Sequence, residues 1–122
     1  MSNLEHIRQI MRDKGLASLG DAYVNFVYSL ALTEIGGHPR AAKVSDRVLA
    51  EAFRLAGLRD FLGTRVTKKD LANASESILA EAYRRKIITI ENSVRTLAQN
   101  PDGPAAGLPE LLKLAAQKLS AK

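Results

Sequence analysis

The chain has 122 residues, 46% hydrophobic, 5% aromatic and 25% charged, with 18 Lys and Arg against 13 Asp and Glu, no cysteine and no tryptophan. This length bounds it to one domain that can bury a real core without disulfides or a structural metal, and the missing cysteines exclude thiolate zinc, iron–sulfur clusters and a cysteine nucleophile. A formal charge of +5 favours a polyanionic partner, while the regularly charged residues 1–15 do not read as a signal peptide and no apolar run approaches the ~20 residues of a membrane span, so a soluble, cytoplasmic protein without a membrane partner is expected.

Apolar residues recur at intervals of three and four, and no alternating β-branched run competes, so the chain reads as all-α. Ser2 with Glu5 has the spacing of a capping box and opens a first helix that ends near Gly15. A long second helix follows from Leu16 to Ile35, stopped by Gly36 and Gly37, whose continuation through Arg40 is the first clear loop. Ser45 caps a third helix carrying Val48, Leu49, Ala52, Phe53 and Ala56 and stopping at Gly57; residues 58–65 form a short helical piece or turn. Thr67 with Asp70 starts a helix through about Arg85, and another follows Thr89, with Ile90, Val94 and Leu97 on its apolar face, closing before Asn100. Residues 101–109, containing Pro101, Gly103, Pro104 and Gly107, are predicted as a loop, with Pro109 the first residue of an amphipathic terminal helix. Its Leu111, Leu112, Leu114, Ala115 and Leu119 would dock on the domain, residues 1–122, or on a second copy.

Two acids stand in surroundings that do not suit them. Asp21 falls inside the second helix, with Ala17, Val24, Asn25 and Tyr28 on its face, and Gly20 before it costs a further ~1 kcal/mol of helix stability relative to Ala. Close approach of another helix or of a ligand would require that glycine. Glu76 repeats the pattern among Ala72, Asn73, Leu79, Ala80 and Tyr83. A buried carboxylate is expensive unless it is paired, hydrogen-bonded or bound to a cation. The plainer outcome gives each acid its own internal Arg, Lys or hydroxyl. If the two faces meet, Asp21, Glu76 and the Asn73 carbonyl form an all-oxygen site of the kind Mg²⁺ occupies. His6 and His38 suggest no metal pair or catalytic base, and no phosphate-binding glycine loop is present.

At these residues the sequence resembles the ribonuclease III endonuclease domain. Leu16-Ala17-Ser18-Leu19-Gly20-Asp21-Ala22 takes the place of a signature that reads roughly LEFLGDA. Residues 44–58, Val44-Ser45-Asp46 through Ala56-Gly57-Leu58, follow without a gap a second stretch like VSNETLAEIARELGL. Residues 71–85 are similar to a third, LADAFEALIGAIYLD. The resemblance implies a helical, usually dimeric, metal-dependent endonuclease that cleaves double-stranded RNA, with Asp21 and Glu76 as catalytic Mg²⁺ ligands and Mn²⁺ as an alternative ion. It also implies an ion between these acids that activates water for in-line attack. The chain departs from the pattern where Ala17 and Asn73 replace acidic residues and Ser18 an aromatic of the dimer contact. A compact Mini-III-like or archaeal-type member, without a separate double-stranded RNA-binding domain, resembles this reduced arrangement. Lys68, Lys69, Arg84 and Arg85, toward the two ends of the helix bearing Glu76, are the expected phosphate contacts. Ala17 and Asn73 also keep open two rivals: an RNA-binding or assembly module that no longer cuts, and a structural helical dimer.

Overall fold

Side-chain caps set the starts of four helices in the computed structural model, which describes residues 3–121. The elements are α1 (Asn3–Met11), α2 (Lys14–Gly36), α3 (Asp46–Leu55), a 3₁₀ turn (Arg59–Phe61), α4 (Lys68–Arg84), α5 (Ile90–Ala98) and α6 (Pro104–Ser120). No strand occurs among the described residues, so the chain is all-α as its periodicity predicts. The Ser45 hydroxyl accepts from the Val48 N–H at the start of α3. Thr67 and Asp70 cap α4 reciprocally, and Thr89 with Asn92 does the same for α5. Gly37, at φ 75°, closes α2 by donating its N–H to the Thr33 carbonyl. The capping box expected at Ser2 and Glu5 rests on a residue outside those described.

Two boundaries differ from the sequence reading, each for a local reason. α1 stops at Met11 rather than near Gly15, because Asp13 turns extended and accepts the Leu16 N–H at 2.9 Å, starting α2 at Lys14. The predicted 101–109 loop is shorter: α6 begins at Pro104, which takes the first-turn position expected for Pro109, and Pro109 lies inside the helix. Gly107 is a packing residue there, not a break. A Cβ on it would lie 2.9 Å from the Thr96 carbonyl oxygen and 3.0 Å from the Leu97 Cα, so its absence lets α6 close against α5. Pro109 denies the Ala105 carbonyl its helical donor, and burial of Leu108, Leu111 and Leu112 holds the helix through that loss.

α4 occupies the centre, packed by α1, α2, α3 and α6. From Leu71 to Ala82 every residue is buried except Asn73, which is half-exposed. Many of these side chains are small, and the two serines satisfy backbone groups of the neighbours. The Ser75 hydroxyl lies 3.1 Å from the Leu49 carbonyl of α3, and that of Ser77 lies 3.1 Å from the Asp13 carbonyl between α1 and α2. Phe53, Leu71, Ile78, Leu79, Leu108 and Leu112 fill the rest of the core. No helix among the described residues is long and apolar enough to cross a membrane.

The tightest approach is between α2 and α4. A Cβ built on Gly20 would sit 1.9 Å from the carbonyl oxygen of Glu76 and 2.8 Å from its Cα. Backbone cannot yield as a flexible side chain does, so any side chain at position 20 must push the helices apart. Gly20→Ala is therefore expected to destabilise the fold by about 3 kcal/mol. Gly63→Ala, at an exposed position with nothing within 4 Å of the added Cβ, should stay within about 0.5 kcal/mol of wild type. Urea denaturation of both variants checks this, and equal midpoints would contradict the close crossing.

Candidate active site

The crossing at Gly20 carries the next residue of α2, Asp21, to the Glu76 side chain, and the two carboxyl groups hydrogen-bond to each other. Glu76 is 5% exposed, whereas the Asp21 side chain is 46% exposed toward solvent. Asn25, one turn after Asp21, donates from Nδ2 to Asp21 Oδ1 at 3.2 Å and accepts the Val44 N–H on its Oδ1 at 2.7 Å. One carboxamide thus orients the acid and ties down the segment before α3. That segment delivers Lys43, whose Nζ lies 3.7 Å from Asp21 Oδ1.

Two carboxylates this close cannot both ionise cheaply. Burial, and then the hydrogen bond and negative charge of Asp21, push Glu76 up to about 8; Asp46 adds to this and Lys69 opposes it. The hydrogen bond from Glu76 holds Asp21 below its ordinary value, against some desolvation and with help from Lys43 and Asn25. At neutral pH the pair therefore shares one proton, carried on Glu76.

The pair opens into a cavity of about 780 Å³. Asn73, Lys68 and Lys69 line it beside the two acids, so five of the seven residues singled out from the sequence meet in one place. Arg84 and Arg85 do not reach it. Sixteen residues of α-helix separate Lys68 from Arg84 by about 24 Å, and each arginine is bound at 2.8 Å to the buried carboxylate of Glu81. Arg85 also lies 2.8 Å from His6 Nε2, bracing the end of α4 against α1.

The cavity also contains residues that the sequence reading did not place in a site: Lys14, Lys43, Asp46 and Arg47. Lys14 was readable, because it precedes Asp21 by two helical turns and shares its face. The others sit at the start of the ungapped stretch 44–58 or just before it, but their proximity to Asp21 depends on the Asn25 bridge. Lys14, Arg47 and Lys68 have no ion pair among the described residues, and Lys69 approaches Asp46 at 3.4 Å.

The donor chemistry fits a hard divalent cation: two carboxylates and a carboxamide, oxygen donors of the kind Mg²⁺ takes together with water. The fit is a lean one, since no group of three or more His, Cys, Asp or Glu among the described residues is arranged to hold a metal.

A family model described as Ribonuclease III matches residues 14–115. The match runs from the first residue of α2 into α6 and includes every residue of the cavity. No curated protein matches the chain.

The acid pair sets a pH dependence of stability. Because Glu76 rises from its ordinary 4.5 to about 8 in the fold, the folded state binds more protons than the unfolded chain between those values. Stability is then highest near the lower value and falls as pH rises through the upper one. In chelator-treated protein the loss from pH 5 to pH 9 should be on the order of 3 kcal/mol, and Glu76→Gln should flatten it. Denaturant titrations across that range measure both slopes; a wild-type stability that climbs with pH would contradict the shared proton.

Proposed function

The chain belongs to the ribonuclease III family, and from that premise we propose that it is an endoribonuclease hydrolysing phosphodiester bonds of double-stranded RNA, with Mg²⁺ or Mn²⁺ held by Asp21 and Glu76. The observation that carries this reading is the meeting of a mutually hydrogen-bonded acid pair with five basic side chains, Lys14, Lys43, Arg47, Lys68 and Lys69, around one cavity. Asp21 and Glu76 hold the cation, and the Asn73 carboxamide oxygen completes the protein's share of the donors. When bound, the cation supplies water activation and charge stabilisation at the scissile phosphate. The chain's own residues do the rest. To serve as a ligand Glu76 would have to be deprotonated, against the burial and the Asp21 charge that raise its pKa. Lys14, Arg47 and Lys68, without acidic partners among the described residues, contact the phosphates on either side.

Such contacts read backbone and shape, which is how double-helical RNA is recognised. Arg84 and Arg85 stay on Glu81 as a brace in this reading, and the phosphate contacts of α4 fall to Lys68 and Lys69. The outer face of α2 leaves Leu19 47% and Phe26 52% exposed, a stripe that a second copy would cover, so a homodimer belongs to the same proposal. A cysteine-free chain acting on RNA suits the cytoplasm.

The rival reading, RNA binding without cleavage, draws on the same lean donor set, in which Ala17 and Asn73 contribute no charge. Incubation with perfectly paired RNA and Mg²⁺ separates the two. Cleavage by wild type should fall at least about 100-fold in Asp21→Asn and in Glu76→Gln, with binding retained. Salt-sensitive binding without cleavage by wild type selects the binding module, and neither binding nor cleavage leaves a structural scaffold. Lys68→Ala and Lys69→Ala should weaken binding to any duplex sequence and each lower the salt slope by about 1; an unchanged slope removes them from the interface.

A further inference from the structure

A second, more enclosed cavity of about 270 Å³ adjoins the larger one, and Lys14, Ala17 and Asn73 line both. Its remaining walls are apolar (Met11, Leu62 and Val66) with Arg12, Asp13 and Asp70 at the polar side. We propose that this side cavity receives one nucleobase from an unpaired nucleotide of the RNA while that nucleotide's phosphate stays in the larger cavity, so that the enzyme favours substrates with a bulged or mismatched nucleotide beside the cleaved bond. The inference rests on the ribonuclease reading above and adds a substrate preference to it.

Size and chemistry select a base over other occupants. The volume falls just below the ~300–1,000 Å³ of sites for drug-sized ligands, which suits one flat ring system. A free phosphate is disfavoured by the apolar walls and by the carboxylates of Asp13 and Asp70. Each of these acids spends one oxygen on a helix cap, Asp13 Oδ1 on the Leu16 N–H and Asp70 Oδ2 on the Thr67 N–H. The second oxygen of each remains to accept from the ring or exocyclic N–H groups of a base. Arg12 is exposed and has no ion pair among the described residues, and a guanidinium plane stacks on bases. Asn73 offers both a donor and an acceptor at the passage.

Two of the three residues shared by the cavities, Ala17 and Asn73, are the positions where the chain departs from the acidic pattern of the family signatures. A carboxylate at 17 or at 73 would add a hydrated negative charge to the shared wall. A methyl group and a carboxamide keep that wall small and leave Lys14 as its one charge. Withdrawing a base from a helix costs stacking and pairing, least where the nucleotide is already unpaired, and this is the origin of the preference.

The test uses the full-length protein and two RNA duplexes carrying 2-aminopurine, one in a single-nucleotide bulge and one fully paired, with binding followed by anisotropy and base environment by 2-aminopurine fluorescence. Val66 lines the side cavity and not the larger one, so Val66→Phe should fill the space. Wild type should bind the bulged duplex about tenfold tighter than the paired one and change its 2-aminopurine signal. Val66→Phe should lose both the preference and the signal change while binding paired RNA as wild type does. Arg12→Ala, at an exposed position that does not threaten folding, should reduce the signal change in part. Equal binding of both duplexes, or a signal change that survives Val66→Phe, overturns the side site alone. Binding of neither duplex overturns the ribonuclease reading and this inference with it.

Discussion

The contact on which the rest depends is that between the Gly20 backbone of α2 and the Glu76 backbone of α4. A helix crossing normally holds its axes apart by the side chains between them; here one position has none, and the main chains touch. Glu76 lies at that point and Asp21 next to it, so the backbone brings the two side chains to the same place. The cap at Asp13, the Ser77 hydroxyl on the Asp13 carbonyl and the Asn25 bridge to Val44 then lock the start of α2 and the approach to α3 around the same point.

α4 contains its own control. Glu76 and Glu81 lie on one helix and are 5% and 8% exposed, respectively. Glu81 has what a buried acid needs, two guanidinium groups at 2.8 Å. Glu76 instead faces another acid, with Asp46 adding to the repulsion and Lys69 opposing it only weakly. Stability alone would have given both glutamates the same treatment. Local choices that work against the fold concentrate where function needs them, and the contrast between two glutamates five residues apart makes that argument within one helix.

Most of the fold was legible because its boundaries are written in local chemistry: Ser45 and Thr67 with Asp70 cap the helices they were expected to cap, and the helix expected after Thr89 starts there. The start of α6 was not, because Gly107 serves as a break in one context and as a packing surface in another, and only the position of α5 decides between them. At the site, Gly20, Asp21 and Glu76 were visible as residues at odds with their helical faces. Lys43, Asp46 and Arg47 were not, since a loop folded back by Asn25 leaves no periodic trace. Arg84 and Arg85 illustrate the converse limit: membership of the right helix says nothing about which end of it a cavity occupies.

The proton held on Glu76 explains why so awkward an arrangement is tolerable. With the proton on Glu76 the pair carries one net negative charge and makes an internal hydrogen bond, so the fold avoids a buried anion at Glu76 beside the ionised, half-exposed Asp21. Under the proposed function a divalent cation would replace that proton and take the same two groups as ligands. Lys43 and Lys69 moderate the negative charge of the pair, while Lys14, Arg47 and Lys68 line the same cavity with no ion pair among the described residues. A site with four carboxylates would need more cations to reach the same balance; with Ala17 and Asn73 in place of two of them, only Glu76 of the remaining pair is buried and Asp21 keeps its contact with solvent.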